Sequence, residues 1–241
     1  MSSNVPVDLP GSAAPRPEKR RAHRAVGEHA VDHARSSFPG PTVTGVSMLI
    51  GPPLALVASL IGAPAYHAMG ADFVAGMVEH ARAFEVAIQL SLASMILLII
   101  AVIGMASMIC VTRPRWGRVA GVVTMIGLLG PLTFQSVYWA ASHLVDTAAH
   151  RAAAAVLIDE SQVIPRTVMN VSGPAIILGF VLLAIASAKS GVLPRTPAVL
   201  LGLTALIPFG FISGHLVISA IGFAAATVAL VPLGVSQLRR P

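Results

Sequence analysis

The chain has 241 residues, of which 55% are hydrophobic and only 11% charged. A soluble domain carries about 25% charged residues and has too little interior to hide this much apolar surface, so a water-soluble globular protein is excluded. The formal charge of +6 traces to where arginine sits relative to a membrane, not to a nucleic-acid-binding face; the lone Cys110 excludes an intrachain disulfide and a cysteine-based metal knuckle.

Residues 1–42 read as a basic cytoplasmic leader. MSSNVPVDLPGSAAPRP is rich in proline and small residues and reads as disordered. EKRRAHRAVGEHAVDHAR follows, with only alanine and valine for an apolar face. About 40 residues precede the first apolar run, unlike a cleavable signal peptide, and no apolar run follows Arg20 and Arg21 as an export signal would require. Glu28, His29, Asp32 and His33 repeat at i and i+4, but their flanks make a solvated arm the simpler reading. The KRRAHR cluster is placed to touch anionic lipid.

From residue 43 to 238 the pattern is an all-α integral membrane domain, a bundle of six transmembrane helices. Apolar blocks near the ~20 residues needed to cross a bilayer predict spans at 43–63, 86–111, 119–140, 168–188, 197–213 and 215–236. The last two share one run of about 40 residues, about 60 Å as helix and twice the hydrocarbon thickness. It must fold back, and FISGH at 211–215 is the expected turn.

Charge placement orients this count. With both termini cytoplasmic, the leader arginines, Arg113, Arg115 and Arg118, then Lys189 and Arg195, and finally Arg239 and Arg240 all fall inside. Only Arg82, Arg151 and Arg166 fall outside. Trp116, Tyr138 and Trp139 sit at span ends, where aromatic belts form. Of the outer segments, 64–85 predicts a short helix at the interface, with Tyr66, Phe73, Val74, Met77 and Phe84 as its apolar side. Residues 141–166 are expected to continue the third span as helix beyond the lipid, AHRAAAAVLI being a strong helix former.

That continuation contains HLVDTAAH, residues 143–150. If it is helical, His143, Asp146 and His150 fall at i, i+3 and i+7 on one face. Imidazole and carboxylate suit zinc and other divalent metals, but three ligands on one helix rarely close a site. His215, at the top of the sixth span, completes the candidate metal set, with His67, His80 and Glu85 on the same side. The simpler alternative is the wet end of a helix leaving lipid.

No acidic or basic residue lies deep in a predicted span, which argues against a proton-coupled pump or a charged-substrate channel. Gln135, Tyr138 and His143 fall on one side of the third span's outer half, with Asn170 expected to face them; hydrogen-bonding glue between helices is the favoured role. Pro52, Pro53, Pro131, Pro174, Pro208 and Pro232 interrupt the spans, and Gly-Pro recurs in the first and fourth. In a six-span chain this would fit an inverted repeat with broken helices at a solute site, though glycine and proline are common in membrane helices. Gly127 and Gly130 permit close helix packing. No Walker loop, dinucleotide fingerprint, HExxH or nucleophile elbow is present.

RPRWGRVAG between the second and third spans and GVLPRTPAVLLGL between the fourth and fifth, with the Ala/Gly/Val/Arg-rich composition, resemble a loose group of small, uncharacterised six-span actinobacterial membrane proteins. The resemblance covers residues 45–236. It implies a bacterial plasma-membrane location, and it carries over no activity, cofactor or site residue. The expectation is a non-enzymatic multi-pass protein, a small-solute permease or an accessory subunit, partnered by the bilayer and not by nucleic acid. The alternative is a metal-binding or redox protein with an outward His/Asp/Glu site.

Overall fold

The computed structural model describes residues 39–65, 71–145, 148–160, 163–213 and 216–239. The leader expectation therefore lies outside the described residues up to residue 38. The described elements are all helical: α1 (Pro41–Gly62), α2 (Ala71–Glu79), α3 (Ala81–Thr112), α4 (Pro114–Ser142), α5 (Ala148–Glu160), α6 (Val163–Ser190), α7 (Arg195–Leu203), α8 (Ile207–Ser213) and α9 (Leu216–Leu238).

Five helices are long and apolar enough to cross a membrane: α1, α3, α4, residues Asn170–Ser190 of α6 and Val217–Leu238 of α9. Their apolar windows are only 39–50% buried within the protein. Leu60, Val122 and Val217 are 60%, 58% and 72% exposed. Water would not tolerate apolar faces this wide, whereas lipid is their natural solvent.

The predicted fifth span differs from these. It consists of α7, a 3₁₀ turn at Thr204–Leu206 and α8. Pro208 has no N–H to offer the Thr204 carbonyl, which accepts from the Ile207 N–H instead and tightens the turn. Leu203, Thr204 and Ile207 keep right-handed helical dihedrals. Ser219 on α9 donates its hydroxyl to the Ile207 carbonyl at 2.8 Å.

The other prolines behave differently from expectation. Pro52, Pro53, Pro131, Pro174 and Pro232 all lie inside unbroken helices. Packing against neighbours tolerates the lost hydrogen bond there. The Gly-Pro steps of the first and fourth spans are therefore not breaks. An inverted repeat would pair the second span, a 32-residue unbroken helix, with this interrupted fifth segment.

The long helices follow one another around a closed circuit. α1 packs on α3, α3 on α4, α4 on α6, α6 on α7 and the 3₁₀ turn, these and α8 on α9, and α9 back on α1. All six apolar segments meet in one core: Met48 of α1, Met105 of α3, Leu128 of α4, Leu183 of α6, Leu201 of α7 and Leu230 of α9.

Glycine sets how close the neighbours come. A Cβ on Gly45 would lie 2.9 Å from the Gly234 carbonyl oxygen, and one on Gly234 would lie 2.7 Å from the Gly45 oxygen. This reciprocal approach closes the circuit between first and last spans. Gly127 sits against the Ile176 backbone, and Gly179 against Thr124, where a Cβ would meet the Thr124 Cα at 2.6 Å. Without a hydrophobic force between helices in lipid, such backbone proximity supplies the packing energy.

Polar groups in the bundle mostly satisfy themselves. Thr124 donates to the Ala120 carbonyl at 2.7 Å. Gln135 donates its amide N–H across to the Ser91 hydroxyl, joining α4 to α3, which is the glue role expected of it. Its Oε1 has no partner among the described residues. Asn170 is exposed.

At the end carrying the α3–α4 connection, the Arg113 Nε donates to the Lys189 carbonyl at 3.1 Å. The Lys189 ammonium lies 5.4 Å from the Trp116 ring centroid. α6 ends at Gly191, with φ +74°, and the Val192 N–H returns to the Ser187 carbonyl at 3.0 Å. A side chain at that left-handed position is strained, so Gly191→Ala should cost about 1 kcal/mol. Thermal unfolding in detergent would register this as a lowered Tm, and an unchanged Tm would refute it.

Candidate functional site

α3 and α4 have 32 and 29 residues, about 48 and 44 Å of helix against roughly 30 Å of hydrocarbon. Their extra turns carry a cap built by α2 and α5. Phe73, Val74 and Met77 of α2 pack on Phe84 and Ile88 of α3, on Ala141 of α4 and Val145 in the connection after it, and on Ala154 and Ile158 of α5. The Phe73 and Phe84 rings meet edge to face, centroids 5.7 Å apart. Phe73 also lies 4.8 Å from the Tyr138 ring. The apolar side expected to rest on the membrane interface is thus spent on the protein. Tyr66 lies outside the described residues.

HLVDTAAH does not continue the third span. α4 ends at Ser142 and α5 begins at Ala148. His143, with φ −82° and ψ −7°, closes α4, and the Leu144 N–H turns back to the Ala141 carbonyl at 3.0 Å. The i, i+3, i+7 register that placed the candidate ligands on one face requires an unbroken helix, so that premise fails. The signal was present in the residue types: His, Val, Asp and Thr are weak helix formers, and Asp or Thr before an alanine run commonly starts a new helix.

Of the candidate metal ligands, His143 is exposed and stands edge-on to the Trp139 ring at 4.9 Å. His150 is exposed in the first turn of α5. Asp146 and His215 lie outside the described residues, as does His67. His80 is half-buried between α2 and α3, and Glu85 accepts from the Gln89 amide at 3.5 Å. Among the described residues, no three His, Cys, Asp or Glu side chains gather closely enough to hold a metal ion.

The cap does form a concave feature that sequence reasoning missed. A groove of about 480 Å³ runs between α2 and α5. Val74, Ala75 and Val78 line one wall, Ala152 and Ala155 the other, with Glu79 on the first and Arg151 on the second. The Arg151 Nε donates to the Val145 carbonyl at 3.1 Å, which pins the guanidinium and leaves its remaining N–H donors for other acceptors. Glu79 is the last residue of α2, and Arg151 lies in the first turn of α5. Arg151 sits near the helix end whose dipole disfavours it, and Glu79 lies where the C-terminal end of α2 meets the N-terminal end of α3. No family model, curated protein or solved structure matches this chain.

Proposed function

We propose that this chain is a non-enzymatic, six-span accessory subunit of a bacterial plasma membrane, with both termini cytoplasmic and the α2–α5 cap outside. The observation that carries the accessory reading is the shared core. Side chains from all six apolar segments fill the middle of the circuit, and the backbone seams at Gly45–Gly234 and Gly127–Gly179 hold it shut. That is the construction of a rigid scaffold more than of a solute path. The remaining crossing, fifth in chain order, is α7, the 3₁₀ turn and α8: 16 α-helical residues and three 3₁₀ residues reach about 30 Å. The inside placement of most Lys and Arg gives the orientation.

Two measurements test the reading. In a Cys110→Ser background, a membrane-impermeant maleimide added to intact cells should label Ala153→Cys in the cap and spare Thr196→Cys at the start of α7. The reverse pattern overturns the orientation. Purified in mild detergent, the chain should carry an integral membrane partner in near-equal amount, and its proteoliposomes should swell in glycerol or urea no faster than protein-free vesicles. A chain that emerges alone and accelerates swelling is a permease.

A further inference from the structure

We propose that the groove between α2 and α5 holds the headgroup of a zwitterionic aminophospholipid, its phosphate on Arg151 and its ammonium on Glu79. The inference rests on the six-span reading, which sets the cap at the outer membrane surface. The groove supplies the three chemical parts of such a ligand. Its walls are valine and alanine, suited to the upper methylenes of an acyl chain. Arg151, pinned through its Nε to the Val145 carbonyl at 3.1 Å, keeps its terminal N–H groups for phosphate oxygens, in the forked geometry that phosphate prefers. Glu79, on the facing wall, accepts from an ammonium.

The helix field reinforces the Arg151 end of that arrangement. α5 presents its positive, N-terminal end beside Arg151, while Glu79 lies where the C-terminal end of α2 meets the N-terminal end of α3. A phosphate beside that end of α5 is favoured. An anionic lipid satisfies only the Arg151 side, and it meets repulsion from Glu79.

The test uses the full chain in detergent, stripped of lipid, with short-chain phosphatidylethanolamine, phosphatidylglycerol and free phosphoethanolamine titrated separately. Phosphatidylethanolamine should bind about ten-fold more tightly than phosphatidylglycerol, the usual scale of one charge-assisted contact. Arg151→Gln should weaken both lipids about as much. Glu79→Gln should erase the preference while leaving phosphatidylglycerol binding intact or improved. Both variants change exposed side chains, and an unchanged Tm confirms that the cap is folded. Equal binding of the two lipids, or variants indistinguishable from the parent chain, overturns the proposal. Free phosphoethanolamine binding as tightly as the lipid assigns the groove to a soluble zwitterion and overturns the lipid form. The maleimide pattern at Ala153→Cys is read separately, so a failed orientation is not mistaken for a failed headgroup site.

Discussion

Gly179→Val should destabilise the bundle by about 3 kcal/mol, the upper part of the usual range for overpacking. The reason is what a new side chain would meet. A Cβ at this position lies 2.6 Å from the Thr124 Cα and 2.7 Å from its backbone nitrogen. A side chain can swing out of the way, but a helix backbone cannot, so α4 and α6 must separate along the whole seam. Thr124 and Gly127 on α4, and Ile176 and Gly179 on α6, interlock one turn apart, so Gly127→Val should cost a similar amount. Gly173→Ala is the internal control, since nothing lies within 4 Å of its Cβ position on the same helix. Its Tm should stay near the parent value while those of Gly127→Val and Gly179→Val fall by many degrees or the proteins fail to purify as monodisperse species. Equal behaviour of Gly173→Ala and Gly179→Val would show that α4 and α6 do not approach this closely.

Phe84→Ala should cost about 3–5 kcal/mol, the range for deleting a buried aromatic side chain. Phe84 is 1% exposed and lies at the centre of the cap cluster. Its ring holds Phe73 of α2 edge to face, and the same cluster reaches Ala154 and Ile158 of α5. The loss should be local. α2 is held to the molecule through this one cluster, and a short helix has little stability of its own. Hydrogen exchange should accelerate through α2 and α5 while the amides of α3, α4 and α6 within the bundle stay protected. Uniform exchange across cap and spans would mean that the cap is no separate cooperative unit. A cap with undiminished protection would mean that Phe84 does not anchor it.

The two variants probe two kinds of cohesion in one chain. In the spans, lipid is as apolar as leucine, so close backbone contact and interhelical hydrogen bonds such as Gln135 to Ser91 hold neighbours together. In the cap, burial of phenylalanine, methionine and valine away from water does so. The groove belongs to the second region, where charged walls and apolar walls coexist at low cost.

Amino-acid order alone determined the long helices and where they lie. The predicted 168–188 span is the core of α6, and 86–111 lies within α3, because hydrocarbon thickness sets span length and every backbone group in lipid must bond within its own helix. Composition likewise marked the short helix now seen as α2, through Phe73, Val74 and Met77. Hydropathy reports which solvent a residue prefers, however, and not which neighbour it meets. Only the tertiary structure decided that α9 closes on α1 through Gly45 and Gly234, that five prolines are absorbed while Pro208 tightens a turn, and that the chain leaves the helical ladder after Ser142. It also decided that the apolar face of α2 packs on protein, and that Glu79 and Arg151 share a groove although they are far apart in the chain. Those outcomes rest on a few ångströms of backbone separation and on competing local hydrogen bonds, and a pattern of apolar and polar residues carries neither.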